Sequence, residues 1–286
     1  MKPLLCSAAL ALLVSESAAQ ETVEFRIKLL KDASWKVEQS VDFSSSVADR
    51  KAKESPDRPL VRGVWKLTEA WTDLCTLDKD GRPMSMKRTV TASKCGGPAA
   101  KPEASSLEGA VVTIEEKEKD LNSKTAFQKG KPAQATLDVL AKGPVDSVAF
   151  LFPDHPVKPG EEWKVIPHWV CLFQRVTCAG IPSLPTSRLA DFVKLLEYLK
   201  SFSPSPQGCE ITGKVAKLEK GEALVDFAGK TDDGMSAVEI KATLKWSVAR
   251  GRPVSLEWKQ TRAVKANEDA GTSGFTEEWK IVKTWK

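Results

Sequence analysis

Tyrosine and histidine are almost missing: Tyr198 stands alone, and the two histidines are His155 and His168. Neither histidine belongs to a metalloprotease pair. No Gly-x-Ser-x-Gly elbow and no glycine-rich phosphate loop occurs. Nothing therefore pairs a nucleophile with a base, and the chain reads as non-catalytic, with no cofactor and no metal implied. Paired carboxylates leave no local spacing signature, so a hydrolase of unfamiliar type remains as a third reading. A long apolar run is also absent. Leu4 to Val14 is the most apolar stretch and is too short to cross a bilayer as a helix. There is no concentrated basic stripe either. The net charge of +5 is spread among acids, as in Glu115-Glu116-Lys117-Glu118-Lys119, which argues against nucleic acid as a partner.

What is present begins with an export pattern. Met1-Lys2-Pro3 is a short positive start, Leu4 to Val14 is the apolar segment, and Ser17-Ala18-Ala19 places small residues where a signal peptidase reads. Residues 1–19 are thus expected to be a signal peptide cut before Gln20, and the protein to be periplasmic or secreted. Cys6 lies inside the apolar run, where a lipidation cysteine does not belong.

The remainder divides into an N-terminal β region, 20–143, and a C-terminal β meander, 144–286, forming one domain or two. Alternation is its main signal. Val23, Phe25, Ile27 and Leu29 share one face of a strand, and Trp35, Val37, Val41 and Phe43 share a face of the next. Leu60 to Leu77 pairs with Met84 to Val90 across an Asp80-Gly81 turn, with Leu77 opposite Met84, Cys75 opposite Met86 and Trp71 opposite Val90. Val111 to Lys119 reads as a strand. A turn at Lys220-Gly221 joins two more. Val238 to Val248 pairs with Val254 to Trp258 through a loop of odd length, which sets Trp246 against Leu256. Phe275, Trp279, Ile281 and Trp285 mark the last strand. The nine tryptophans mostly fall on the apolar faces of these strands and are expected in the core.

Two helices are predicted. Pro132 to Lys142 has Pro at its first position and Gly143 after its end. Ser187 to Phe202 is amphipathic, with Leu189, Phe192, Leu196 and Leu199 on one face. The expected fold is mainly β: one or more curved antiparallel sheets or a half-barrel, with the helix at about 187–202 on the concave face. An internal echo, Gly81-Arg82-Pro83-Met84-Ser85 and Gly251-Arg252-Pro253-Val254-Ser255, reads either as a duplicated β unit or as repeated hairpin chemistry.

Five cysteines follow the leader. Cys171 and Cys178 are expected to bridge across a short hairpin, and Cys75 with Cys95 is the second candidate disulfide. A zinc set from His168, Cys171, Cys178 and Cys209 fits no tight knuckle spacing and is set aside.

The stretch Phe150 to Trp163, FLFPDHPVKPGEEW, followed by Thr212-Gly213-Lys214-Val215, resembles an uncharacterised family of secreted or lipid-anchored bacterial β proteins with a Pro-Val-Lys-x-Gly-Asp-x-Trp type motif. The resemblance implies a location and a fold, with no assigned activity. At fold level the chain also resembles periplasmic lipoprotein carriers. Three readings follow: a non-catalytic binding or envelope-maintenance protein holding a lipid or other hydrophobic ligand between sheet and helix, with Leu189, Phe192, Leu196 and Leu199 as ligand contacts; a structural module docking an envelope protein; and the hydrolase above.

Overall fold

Period-two alternation decides the architecture. The computed structural model describes residues 22–25, 34–47, 63–77, 83–97, 101–105, 107–116, 123–129, 148, 151–165, 210–266 and 274–286. Among these there is no α-helix. The strands are β1 (Ser34–Val47), β2 (Gly63–Leu77), β3 (Pro83–Gly96), β4 (Glu103–Ala104), β5 (Val111–Glu116), β6 (Ser123–Lys129), β7 (Glu162–Val165), β8 (Glu210–Glu219), β9 (Glu222–Asp232), β10 (Ser236–Ser247), β11 (Arg252–Val264) and β12 (Phe275–Trp285). The two predicted helices, Pro132 to Lys142 and Ser187 to Phe202, lie outside the described residues.

All strands join one open antiparallel sheet in the order β6-β5-β3-β2-β1-β12-β11-β10-β9-β8-β7, with β4 added to β3. The N-terminal and C-terminal β regions are therefore two meanders of a single sheet. They meet where the first strand pairs with the last, from Val37 opposite Trp285 to Val47 opposite Phe275. Among the described residues the edge strands are β6 and β7.

One face of this sheet is buried. Trp35, Val37, Val41 and Phe43 of β1 point into it, as do Val238, Ile240, Ala242, Leu244 and Trp246 of β10. Among the residues whose burial is described, seven tryptophans are buried: Trp35, Trp71, Trp163, Trp246, Trp258, Trp279 and Trp285. At about 25 cal/mol per Å² of apolar surface removed from water, such side chains dominate the stabilisation of this face. The other face is charged, with cross-strand pairs such as Lys164–Glu210 at 2.8 Å and Lys214–Glu162 at 3.1 Å.

Registers follow the turns. Lys220 and Gly221 both have positive φ, 51° and 75°, which matches the twist of a two-residue hairpin and sets Glu219 opposite Glu222. In the β2–β3 hairpin Cys75 faces Met86 and Trp71 faces Val90, as expected, but Leu77 pairs with Pro83 across a bulge. The β10–β11 pairing corrects the expected register. Leu244, not Trp246, lies opposite Leu256, and Trp246 pairs with Pro253 after a shift at Lys245/Trp246. A bulge inserts one unpaired residue, so parity along the strand alone misplaces the partner.

Candidate functional site

The buried face is not uniformly apolar. Alternation puts Gln39 between Val37 and Val41, Glu69 between Leu67 and Trp71, and Lys283 between Ile281 and Trp285, all pointing inward. Pairing aligns them. Ser93 lies opposite Glu69, Glu69 opposite Gln39, and Gln39 opposite Lys283. A row of four polar side chains thus crosses β3, β2, β1 and β12 through the middle of the sheet, and each is buried.

Hydrogen bonds tie the row together. Gln39 Nε2 donates to Glu69 Oε2 at 2.5 Å, and Ser93 Oγ donates to Glu69 Oε1 at 3.1 Å. Ser105 Oγ donates to Ser93 Oγ at 2.6 Å and accepts from the Leu107 N–H at 3.1 Å. Burial pushes the Glu69 carboxyl above the usual carboxylate range, against the opposing pull of these hydrogen bonds.

A second group adjoins the row. Arg88 grips Asp73 through Nε to Oδ1 and Nη2 to Oδ2, both at 2.8 Å, and Trp71 Nε1 donates to Asp73 Oδ2 at 2.9 Å. The Arg88 guanidinium sits 4.5 Å from the Trp71 ring centre. Lys283 Nζ lies 5.4 Å from the same ring and 4.8 Å from that of Trp285. Two cations therefore address one indole, an arrangement favoured by the ring quadrupole.

Farther along β12, Glu277 is 1% exposed, opposite Ser45 of β1 and Arg262 of β11. Its Oε2 has no hydrogen-bond partner among the described residues. Burial raises its carboxyl to about 8, so at neutral pH it is largely a protonated acid able to donate.

An aromatic cluster lies at the β7–β10 side of the sheet and accounts for the described part, residues 151–163, of the FLFPDHPVKPGEEW stretch. Trp163 donates its indole N–H to the Leu151 carbonyl at 3.0 Å and packs against Gly213. A Cβ at Gly213 would overlap the Trp163 ring, so the position opposite Trp163 has room only for glycine. Phe25 stacks on Phe152 at 4.6 Å with planes 7° apart. These residues pack a core. His155, beside them, is exposed and pairs with Asp154 at 3.0 Å.

A shallow groove of about 400 Å³ opens on the outer face over Ala228, Lys241, Lys259 and Lys280. Its lysines meet neighbouring carboxylates, Lys241–Glu239 at 2.7 Å and Lys259–Glu278 at 3.4 Å, as on a solvated charged face.

The residues singled out from the sequence fall elsewhere. Leu189, Phe192, Leu196 and Leu199, and the candidate bridge Cys171–Cys178, lie outside the described residues. The second bridge is corrected. Cys95 is a buried thiol opposite Leu67, whereas Cys75 lies opposite Met86, eight positions away along β2 or roughly 27 Å. A disulfide needs Cα atoms within about 7 Å, so that bridge is not formed. Sequence reading missed Gln39, Glu69, Asp73, Arg88, Glu277 and Lys283. The signal was available, because each sits at an inward position of its own strand's alternation.

No protein-family model matches the chain. No curated protein matches it either. Among solved structures, two of Pseudomonas aeruginosa OccK1 (OpdK), one of them with vanillate, are 10% identical and cover 82% of this chain and 63% of their own, with a TM-score of 0.11. The chain spans less than two thirds of those proteins, and so slight a likeness bears on neither fold nor function.

Proposed function

We propose that this is an exported, non-catalytic binding protein of the cell envelope, periplasmic or secreted, that holds an amphiphilic ligand such as a lipid against the inner face of its sheet. The observation that carries the reading is the polar row Ser93–Glu69–Gln39–Lys283 crossing the middle of a face rich in aromatic and aliphatic side chains. Charged side chains are rarely fully buried in a core that serves packing alone. Apolar rows with a polar centre suit a molecule with a greasy body and a polar group. Eleven strands in one path would span about 50 Å if flat, and sheets of that width curl, so a half-barrel with Leu189, Phe192, Leu196 and Leu199 on its concave side completes the reading.

Native mass spectrometry of protein purified from its own periplasm tests this. A co-purified mass of lipid size is expected. Delipidated protein should bind a fluorescent fatty acid, and Lys283→Met should weaken that binding about tenfold, by taking the ammonium out of the row. Absence of both the mass and the binding removes this reading. It leaves the structural module, which the fully satisfied Arg88–Asp73–Trp71 group favours.

A further inference from the structure

The registers of β9 to β12 set like charges side by side on the outer face. Lys241 stands opposite Lys259, and Lys259 opposite Lys280. Ala228 begins this row on β9, and Asp42 ends it on β1. All three lysines are exposed and line the same groove of about 400 Å³. Side chains directly opposite in neighbouring strands stand about 5 Å apart at Cβ, and like charges so placed destabilise a sheet. On one flank Glu239 and Glu278 answer Lys241 and Lys259. Among the described residues Lys280 has no ion-pair partner. The other flank, also within the groove, is acidic. There Asp226 lies opposite Thr243, and Thr243 opposite Glu257. Thr243 Oγ1 donates to Asp226 Oδ1 at 3.1 Å, whereas Glu257 is exposed and has no partner among the described residues.

We propose that this groove is a binding site for an acidic glycan, a short run of carboxylate-bearing sugars laid across β9 to β12. The sugar carboxylates meet Lys241, Lys259 and Lys280, and the sugar hydroxyls donate to Asp226 and Glu257. Lysine ammoniums are point charges on flexible stems, so they follow carboxylates without demanding a fixed fork geometry. Ionised Asp and Glu only accept hydrogen bonds, which suits hydroxyl donors and repels a bare anion. An anionic sugar uses both rows, and an anion without hydroxyls uses one and is opposed by the other. Binding also relieves the crowding of three cations in one row. The inner face takes no part, so this inference stands apart from the lipid-binding reading.

Equilibrium dialysis of the purified protein against trigalacturonate tests it, with maltotriose as the uncharged counterpart. Trigalacturonate should be retained and maltotriose should not. Lys259→Gln with Lys280→Gln should weaken retention at least about tenfold. Glu257→Ala leaves every lysine in place and should weaken it about fivefold, through the lost hydroxyl acceptor. A bare-anion site responds in the opposite sense, tightening when that negative charge is removed. No retention of trigalacturonate by the unaltered protein, unchanged retention by the lysine variant, or tighter retention by Glu257→Ala each overturns the proposal.

Discussion

Glu277 and Gly213 show what single positions contribute. A carboxyl raised to about 8 in the fold, against about 4.5 unfolded, keeps its proton in the folded state over that whole window. The folded state then binds more protons than the unfolded one. Its stability is fully present below pH 4.5, falls as pH rises, and is lost once pH passes 8. Glu69 acts in the same direction. Urea unfolding between pH 4.5 and 8.5 should show a decline, and Glu277→Gln should flatten it by on the order of 3–5 kcal/mol. An identical decline in that variant would place the effect elsewhere. At Gly213 the constraint is steric. A methyl group there overlaps the buried Trp163 indole, so Gly213→Ala should cost about 1–3 kcal/mol in denaturant melts. These two positions were unequally legible. Glu277 alternates in phase with Trp279 and Ile281, so parity marks it as inward, while nothing in a lone glycine names the ring that lies on it.

At the scale of elements, the two Gly-Arg-Pro hairpins behave alike. In each, the proline pairs with the last large residue of the strand before the turn, Pro83 with Leu77 and Pro253 with Trp246. In each, the next pair skips a residue, Met84 or Val254. The sequence echo is therefore an echo of bulge geometry, which composition does not reveal and which displaced the expected β10–β11 register. Strand existence was readable because one face is wet and one dry. Hairpin partners were readable, β2 with β3, β8 with β9 and β10 with β11, whereas the register beside a bulge was not. Between β2 and β3, Arg88→Ala should cost about 3–5 kcal/mol, because it strands Asp73 as a buried charge. Arg88→Met with Asp73→Leu should cost less, about 1–3 kcal/mol, since only the Trp71 N–H then loses its acceptor. Equal losses in the single and double variants would show that the ion pair is not what matters there.

At the scale of the molecule, strand order is fully antiparallel and nearly sequential, as a meander pattern implies. Which strands would close the seam between the two meanders was not legible. Nothing in residues 34–47 or 275–285 announces that the first and last strands are partners, because any half-buried strand satisfies any other of matching parity. Lys36 and Lys286 exchange backbone hydrogen bonds at 2.8 and 3.1 Å, so the seam runs to the end of the chain.

That seam has a kinetic consequence. Val37 and Trp285 are 248 residues apart in sequence and adjacent in space, which raises the mean contact order and slows folding. Linking Lys286 to the N-terminal segment through a flexible joint and opening the chain between β6 and β7 gives a circular permutant whose sequence order is the sheet order itself. Every long-path strand would then pair with a near neighbour. In stopped-flow refolding that permutant should fold at least about tenfold faster than the natural connectivity. An unchanged rate would mean that closure of the seam is not the slow step.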